Sequence, residues 1–261
     1  MFLKKSLGQN FLKDLNIIKK ITNIIKIKDR DILEIGPGDG SLTNEIIKNK
    51  PKSLTLIEKD NFLYQNLKLK YHDHSKIKIY NKDILEFDLE KNIKKNTIIF
   101  GNLPFNISSQ ILVKMIRFKK WPPKYSALIF MFQKEVAERI TGKFNTSKYG
   151  RLSILTNYRL NVFNQFNVSP NCFLPKPKVV STVLLFKPNQ KTFFKIRNIE
   201  NLEKVTNIFF SNKRKMINKN IKKIFKTEDN LNLINNLNVK SRPSELKPEI
   251  YYKITELFEK V

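Results

Sequence analysis

Hydrophobic and polar positions along the chain change period several times, and the changes mark out elements. In "DLNIIKKITNII", residues 14–25, the apolar side chains Ile17, Ile18, Ile21, Ile24 and Ile25 recur with helical spacing, and Asp14 is placed to cap that helix. The stretch "DILEIGPGDGSLTNEIIKN" then predicts a short apolar strand, a glycine-rich turn and a helix entered through Ser41. Further strand-like runs are "SLTLIE" (53–58), "KIKIY" (76–80), "NTIIF" (96–100) and "YSALIFMF" (125–132), with helix-like segments between most of them. Strands alternating with helices imply right-handed βαβ units and a mostly parallel sheet covered on both faces.

Beyond residue 170 the pattern is different. "CFLPKPKVVSTVLLF" (172–186) brings strand-like residues after a proline-rich corner, "KPNQK" reads as a linker, and only helical periodicity follows. In "NKRKMINKNIKKIFK" the residues Ile217, Ile221, Ile224 and Phe225 fall on one helical face, and "PEIYYKITELFEKV" predicts a final helix behind Pro248. The expected organisation is an α/β domain over residues 1–187 and a small all-α domain over 188–261.

Composition narrows the function classes. A chain of 261 residues that is 41% hydrophobic can bury a sizeable core. The longest apolar run, near "LIFMF", is far short of the ~20 residues a bilayer span needs, and "MFLKKSLGQNFL" lacks a signal-peptide core, so a soluble, unexported, cytoplasmic protein is expected. One cysteine, Cys172, permits no internal disulfide and reads as a small core residue. A net charge of +27 points to a polyanion, with nucleic acid first. Lys, Asn and Ile abound while Ala127 and Ala137 are the only alanines, a bias that A/T-rich codons produce, so the charge supports a nucleic-acid partner without carrying the case. His72 and His74 in "YHDHSK" lack a third obvious ligand and read as a solvated loop, and no metal is expected.

The candidate chemistry sits at strand ends. Gly36, Gly38 and Gly40 in "LEIGPGDG" lie between strand and helix, where missing Cβ atoms let backbone amides approach a ligand. Glu58 ends the next strand at the spacing where a carboxylate accepts from ribose hydroxyls in nucleotide-binding βαβ units. A pyrophosphate would meet Glu34 and Asp39 here, and Pro37 withholds an N–H, so the acidic loop suits the cationic S-adenosylmethionine better. Asp83 is placed to accept from the adenine amino group with Ile84 against the ring, although taken alone it also reads as a turn residue.

"FGNLPFNISS", residues 100–109, ends a buried strand on an amide, a rigid kink and a flat ring. An exocyclic adenine amine is a poor nucleophile because its lone pair is delocalised, so a catalyst must orient it. The neutral side-chain carbonyl of Asn102 and the backbone carbonyl of Leu103 can hold its two protons. Pro104 keeps Leu103 extended and removes a competing N–H, and Phe105 offers a stacking face. Ser108 is the better helix cap, since Asn102 lies too far before the helix.

These residues resemble the KsgA-like adenine N6,N6-dimethyltransferases of small-subunit ribosomal RNA. The resemblance spans "LGQNFL" (7–12), "LEIGPGDGSLT" (33–43), "FGNLPFNIS" (100–108), "QKEVAERI" (133–140), "YGRLS" (149–153), "FLPKPKVVSTV" (173–183) and "NKRKMINKNI" (212–221). It implies a class I methyltransferase fold, cofactor contacts from Asn10 and Leu12 beside Gly36, Glu58, Asp83 and Asn102, and Phe173 as a second wall for the target base. It further implies four methyl transfers to two adjacent adenosines in a 3′-terminal hairpin; an assembling 30S particle is the expected substrate and a monomer the default expectation. Lys4, Lys5, Lys213, Arg214 and Lys215 are candidate RNA contacts. Phe105 replaces the usual tyrosine, and Val180 replaces the aspartate of the family's "PKVDSAV". Two other readings stay open: an Erm-like enzyme of large-subunit RNA, and a ribosome-assembly factor on the same fold without turnover.

Overall fold

The computed structural model describes residues 10–190, 193–225, 234 and 237–260. Lys4 and Lys5 lie outside the described residues. The chain divides into two compact units. One takes in the residues up to Lys114 with Lys120–Ala137 and Val162–Pro188; the other takes in Met115–Lys119, Glu138–Asn161 and the residues from Asn189 onward.

The first unit is built on a seven-stranded sheet. Strands β2 (Asp31–Ile35), β3 (Ser53–Glu58), β4 (Ile77–Asn81), β5 (Thr97–Asn102) and β6 (Tyr125–Gln133) pair in parallel. With β7 (Leu160–Val168) and β9 (Ser181–Pro188) the order is β4-β3-β2-β5-β6-β9-β7, and β9 runs antiparallel to β6. A two-stranded sheet joins β1 (Phe11–Leu12) to β8 (Phe173–Leu174). β2 and β5 are central and almost wholly buried, which is why both read as continuous apolar runs; the exposed, alternating β4 lies at an edge. β7 was not expected from sequence, because in "LNVFNQFNV" asparagine and glutamine interrupt the apolar alternation.

Helix α1 (Leu15–Thr22) starts where Asp14 accepts from the Asn16 and Ile17 N–H groups and stops at Asn23, earlier than periodicity suggests. Ile24 and Ile25, beyond its end, still pack against the core. Helices α2 (Ser41–Lys48) and α3 (Asn61–Lys70) follow β2 and β3; α4 (Leu89–Asn92) is a single turn, and α5 (Ser108–Ile116) follows β5. Ser108 is fully buried as the first residue of α5, and its hydroxyl donates to the Phe105 carbonyl, so it serves the turn before the helix instead of capping it.

After α6 (Lys134–Ile140), the second unit holds α7 (Arg151–Arg159), α8 (Ile199–Phe210), α9 (Asn218–Ile221) and α10 (Pro248–Phe258). The division drawn at residue 188 misses that Glu138–Asn161 belongs with the C-terminal helices. The Tyr149 hydroxyl donates to the Leu246 carbonyl and the Tyr252 hydroxyl to the Ile154 carbonyl; these bonds join residues nearly a hundred positions apart, which no local pattern reveals. The helix expected over "NKRKMINKNIKKIFK" is also shorter. Among the described residues of that stretch the helix covers Asn218–Ile221; the Asn220 side-chain amide donates to the Ile208 and Phe209 carbonyls, and the Ile217 N–H to the Ser241 carbonyl. The face itself is real: Ile217, Ile221, Ile224 and Phe225 are all buried, while Lys213, Arg214 and Lys215 are exposed.

Candidate active site

Parallel strands place their carboxyl ends on one side of the sheet, and ligands of such sheets bind in the crevice outside those ends. Here the ends of β2, β3 and β5, the segment Asn10–Leu12 and the turn after β4 enclose a cavity of about 260 Å³. Asn10, Leu12, Gly36, Gly38, Glu58, Asp83, Ile84, Asn102, Leu103 and Pro104 all line it, from places in the sequence up to 94 residues apart.

The glycine-rich loop is shaped by what surrounds it. Gly36, Gly38 and Gly40 have φ of +65°, +60° and +80°, a region that residues with a Cβ adopt at a cost. Gly38 has a second constraint, since a Cβ there would lie 2.7 Å from Cε1 of Phe11, and Phe11 also lines the cavity. The Gly38 N–H donates to Glu58 Oε2 at 3.1 Å, and the Asp60 N–H donates to Glu58 Oε1 at 2.8 Å. Burial pushes the Glu58 carboxyl above its ordinary range, with the Asp60 charge adding to this and the two backbone donors opposing it. Asp39 accepts from the Ser41 N–H and hydroxyl and pairs with Lys13.

Asp83 is a turn residue that also lines the cavity. Its Oδ1 accepts from the Leu85 N–H at 2.8 Å, an Asx turn, and its Oδ2 pairs with Lys59 at 2.7 Å, while the residue still lines the cavity. Burial acts to raise this carboxyl, but the Lys59 and Leu85 bonds and the Lys59 and Lys114 charges outweigh it and hold it below its ordinary range.

Asn102 closes β5 at register with Met131. Its Nδ2 donates to the Asn10 carbonyl at 2.9 Å, which commits the nitrogen end of the amide and leaves Oδ1 as the end that can accept from another group. Gly101 permits the next turn: a Cβ there would lie 2.5 Å from Cδ2 of Leu103, whose side chain folds back into the core at 2% exposure. The Ile107 N–H donates to the Pro104 carbonyl, closing the turn in which Phe105 is half-buried.

Phe105 does not line this cavity, so any stacking face it offers lies outside the cofactor space. Phe173 does not line it either; at 4% exposure it is packed in the core with Leu12, its partner across β1 and β8, and offers no open face as a wall for a base. Lys59, Lys82, Asn106 and Ile107 line the cavity without having been singled out. The last two sat inside the quoted "FGNLPFNISS", and the turn that carries them round to the cavity is the missing signal. Among the described residues, no three His, Cys, Asp or Glu side chains could hold a metal ion together.

The cavity fits S-adenosylmethionine by its donors and acceptors. The buried acids Glu34 and Glu58 and the partly buried Asp39 suit a ligand bearing a sulfonium and an ammonium, and backbone bends free of Cβ atoms leave room for it. Glu58 and Asp83 add two carboxylate acceptors to the cavity lining.

Comparison with known proteins agrees with this geometry. The family model described as "Ribosomal RNA adenine dimethylase" matches residues 2–260. The chain is 44% identical over 256 residues to "Ribosomal RNA small subunit methyltransferase A" of Pelagibacter ubique, covering 98% of this chain and 97% of that protein. It is 39% identical to the protein of the same description from Malacoplasma penetrans, covering 97% and 91%. Among solved structures, a dimethyladenosine transferase from Plasmodium falciparum superposes with a TM-score of 0.77 at 27% identity, covering 96% of this chain and 98% of that one. The 23S rRNA methyltransferase ErmE superposes with a TM-score of 0.69 at 22% identity, over 95% and 99%, a likeness of fold. The chain belongs to the ribosomal RNA adenine dimethylase family.

Proposed function

We propose that this chain transfers methyl groups from S-adenosylmethionine to N6 of two adjacent adenosines in a 3′-terminal hairpin of small-subunit ribosomal RNA, giving N6,N6-dimethyladenosine. The observation that carries the reading is the Asn102 amide, anchored through Nδ2 to the Asn10 carbonyl at the rim of the acid-lined cavity. The cofactor supplies, when bound, a methyl group made electrophilic by a sulfonium. The chain's own residues do the rest. Asn102 Oδ1 and the Leu103 carbonyl accept hydrogen bonds from the two amine N–H groups and turn the lone pair toward the methyl; neither acceptor takes up a proton near neutral pH, and the proton the nitrogen sheds on methylation passes to solvent. Holding amine and methyl in line supplies on the order of 7–11 kcal/mol of barrier lowering. A monomethylated amine keeps one proton, so a single acceptor suffices for the second transfer.

The target base must be unstacked, because its amine is unreachable within a helix. Phe105, half-buried beside Asn106 on the turn after Asn102, is the stacking surface in this reading. The exposed Arg214 and Lys215 are proposed phosphate contacts, with Lys213 nearby donating to the Ser147 carbonyl. The helical unit is then the RNA-binding part, and the protein acts as a monomer on an assembling 30S particle in the cytoplasm. Among the described residues no helix is long and apolar enough to cross a membrane.

The test is mass spectrometry of adenosines in unmethylated small subunits incubated with the protein and with Asn102→Ala. Dimethyladenosine is expected with the native chain and a severe loss with the variant. Equal product from both would remove Asn102 from its role. Label appearing only in large-subunit RNA would redirect the reading to an Erm-like substrate, and cofactor binding without transfer would leave an assembly factor.

A further inference from the structure

One buried acid of the cavity has no part in orienting the amine. Glu34, near the end of β2 and at register with Leu56 and Phe100, is 2% exposed and lines the cavity. The neighbouring acids are held by charges or backbone: Glu58 accepts from two backbone N–H groups, and Asp39 accepts from Ser41 and pairs with Lys13. Glu34 has the neutral hydroxyl of Thr43, on α2, which donates to Oε2 at 2.7 Å. Every element packed around it contributes to its field. β3 brings Glu58, the glycine loop brings Asp39, α3 brings the partly opposing charge of Lys70, and Tyr71 just beyond α3 brings a neutral hydroxyl that donates to Asn44 Oδ1. β5 brings only the uncharged Asn102 to the same cavity.

We propose that Glu34 sets the preference of the cavity for the methyl-bearing sulfonium over its spent thioether product, by releasing its proton when the extra positive charge enters and recovering one when that charge leaves. The inference rests on the reading of the chain as an S-adenosylmethionine-dependent methyltransferase. On binding, the Glu34 O–H bond breaks, the proton passes to solvent, and the carboxylate remains to face the cation. On transfer, the methyl carbon would bond to the adenine nitrogen, which sheds a proton to solvent, the C–S electron pair would stay on sulfur, leaving it neutral, and a proton from solvent would restore the Glu34 carboxyl. Burial, with the nearby Glu58 and Asp39 charges and against the Thr43 bond, raises this carboxyl to about 8, so the proton is present at neutral pH until a cation displaces it. Four transfers to one RNA require repeated exchange of product for fresh cofactor. A cavity whose charge resets after each transfer favours that exchange.

Calorimetric titration of the full chain with S-adenosylmethionine and, separately, with S-adenosylhomocysteine tests this from about pH 6 to about pH 8.5, in buffers of differing ionisation enthalpy. The ligands' own amino groups titrate here too, so the informative quantity is the difference between the native chain and Glu34→Gln. The cofactor-to-product affinity ratio is expected to rise with pH in the native chain, by up to about tenfold per unit, and to flatten in the variant, with the native chain releasing more protons on cofactor binding. Thr43→Val removes the hydroxyl that favours the charged form and is expected to move the rise to higher pH. If the variants do not fold, infrared difference spectra of the native chain decide: a protonated carboxyl band must vanish on adding the cofactor and persist with the product. A ratio as flat in the native chain as in Glu34→Gln, or a band unchanged by the cofactor, overturns the inference. Methyl transfer to small subunits with a flat ratio sinks only this inference, whereas no cofactor binding at any pH sinks the functional reading itself.

Discussion

The two walls of the cavity are built on opposite principles. The wall formed by the ends of β2 and β3 is acidic and tightly bound: Glu34, Asp39 and Glu58 are fixed by Thr43, Ser41, Lys13 and backbone N–H groups. The wall formed by the end of β5 is neutral, with an amide, a backbone carbonyl and a proline, and the Asn102 side chain is anchored through the single bond to Asn10. Charge suits a ligand that is itself a cation. Neutrality suits an amine whose lone pair must be aimed without being protonated or competed for. On the proposed function, the difference assigns binding of the methyl donor and presentation of its acceptor to adjoining strand ends as separable tasks.

Asn102→Asp tests the separation most severely. The carboxylate keeps the shape of the amide but sets an oxygen against the Asn10 carbonyl where Nδ2 now donates. Methyl transfer is expected to fall by about 10²–10³-fold in kcat, the cost of losing one aligned polar group at a reacting centre. Cofactor affinity by calorimetry should hold or improve; a parallel collapse of both would merge the two walls into one function.

Gly38→Ala attacks the other wall. The added Cβ meets the Phe11 ring at 2.7 Å in a backbone region at φ +60°. Strain of about 1–3 kcal/mol translates to a loss of cofactor affinity on the order of 30-fold. The rate at saturating cofactor should change much less, and single-turnover kinetics would show it.

Phe105→Ala should leave cofactor affinity alone, because the ring lies outside the cavity lining. Loss of one stacked base, about 1–3 kcal/mol, predicts roughly tenfold weaker use of RNA, read as kcat/KM for small subunits. Phe105→Tyr should stay close to the native value, since the ring face is kept.

A further effect is on stability. Glu34 is raised from its ordinary 4.5 to about 8 by burial, so the folded chain binds a proton more tightly than the unfolded chain does. Its contribution to stability is therefore complete below about pH 4.5 and is lost as pH rises through about 8. Without cofactor, the melting temperature of the native chain relative to Glu34→Gln should fall by roughly 10 °C over that window. A difference independent of pH would mean that Glu34 is ionised throughout.

Much of the acidic wall was legible in advance because it is local. A strand, a glycine turn and a helix within "LEIGPGDGSLT" fix where Gly36 and Gly38 stand relative to their own elements, and Glu58 closes the next strand. The neutral wall was legible as residue types, since Asn102, Leu103 and Pro104 do line the cavity. Its geometry was not, because the bond that aims Asn102 comes from Asn10, 92 residues away. Phe173 shows the reverse case. The family resemblance implied a stacking wall at Phe173, yet this residue pairs with Leu12 across β1 and β8 and is buried in the core.

The sequence by itself determined the alternating elements, the central buried strands, the glycine loop, the acid at Glu58 and the amide at Asn102, because each depends on short-range periodicity or on the chemistry of one side chain. Tertiary structure alone decided that Glu138–Asn161 joins the C-terminal helices, that β7 ends the sheet, that Phe11 packs on Gly38 and that Glu34 faces other acids inside the cavity. Those outcomes depend on contacts and burial between residues far apart in the chain. A local pattern records which groups are present, while burial and long-range contact determine which of them meet and what charge they can hold.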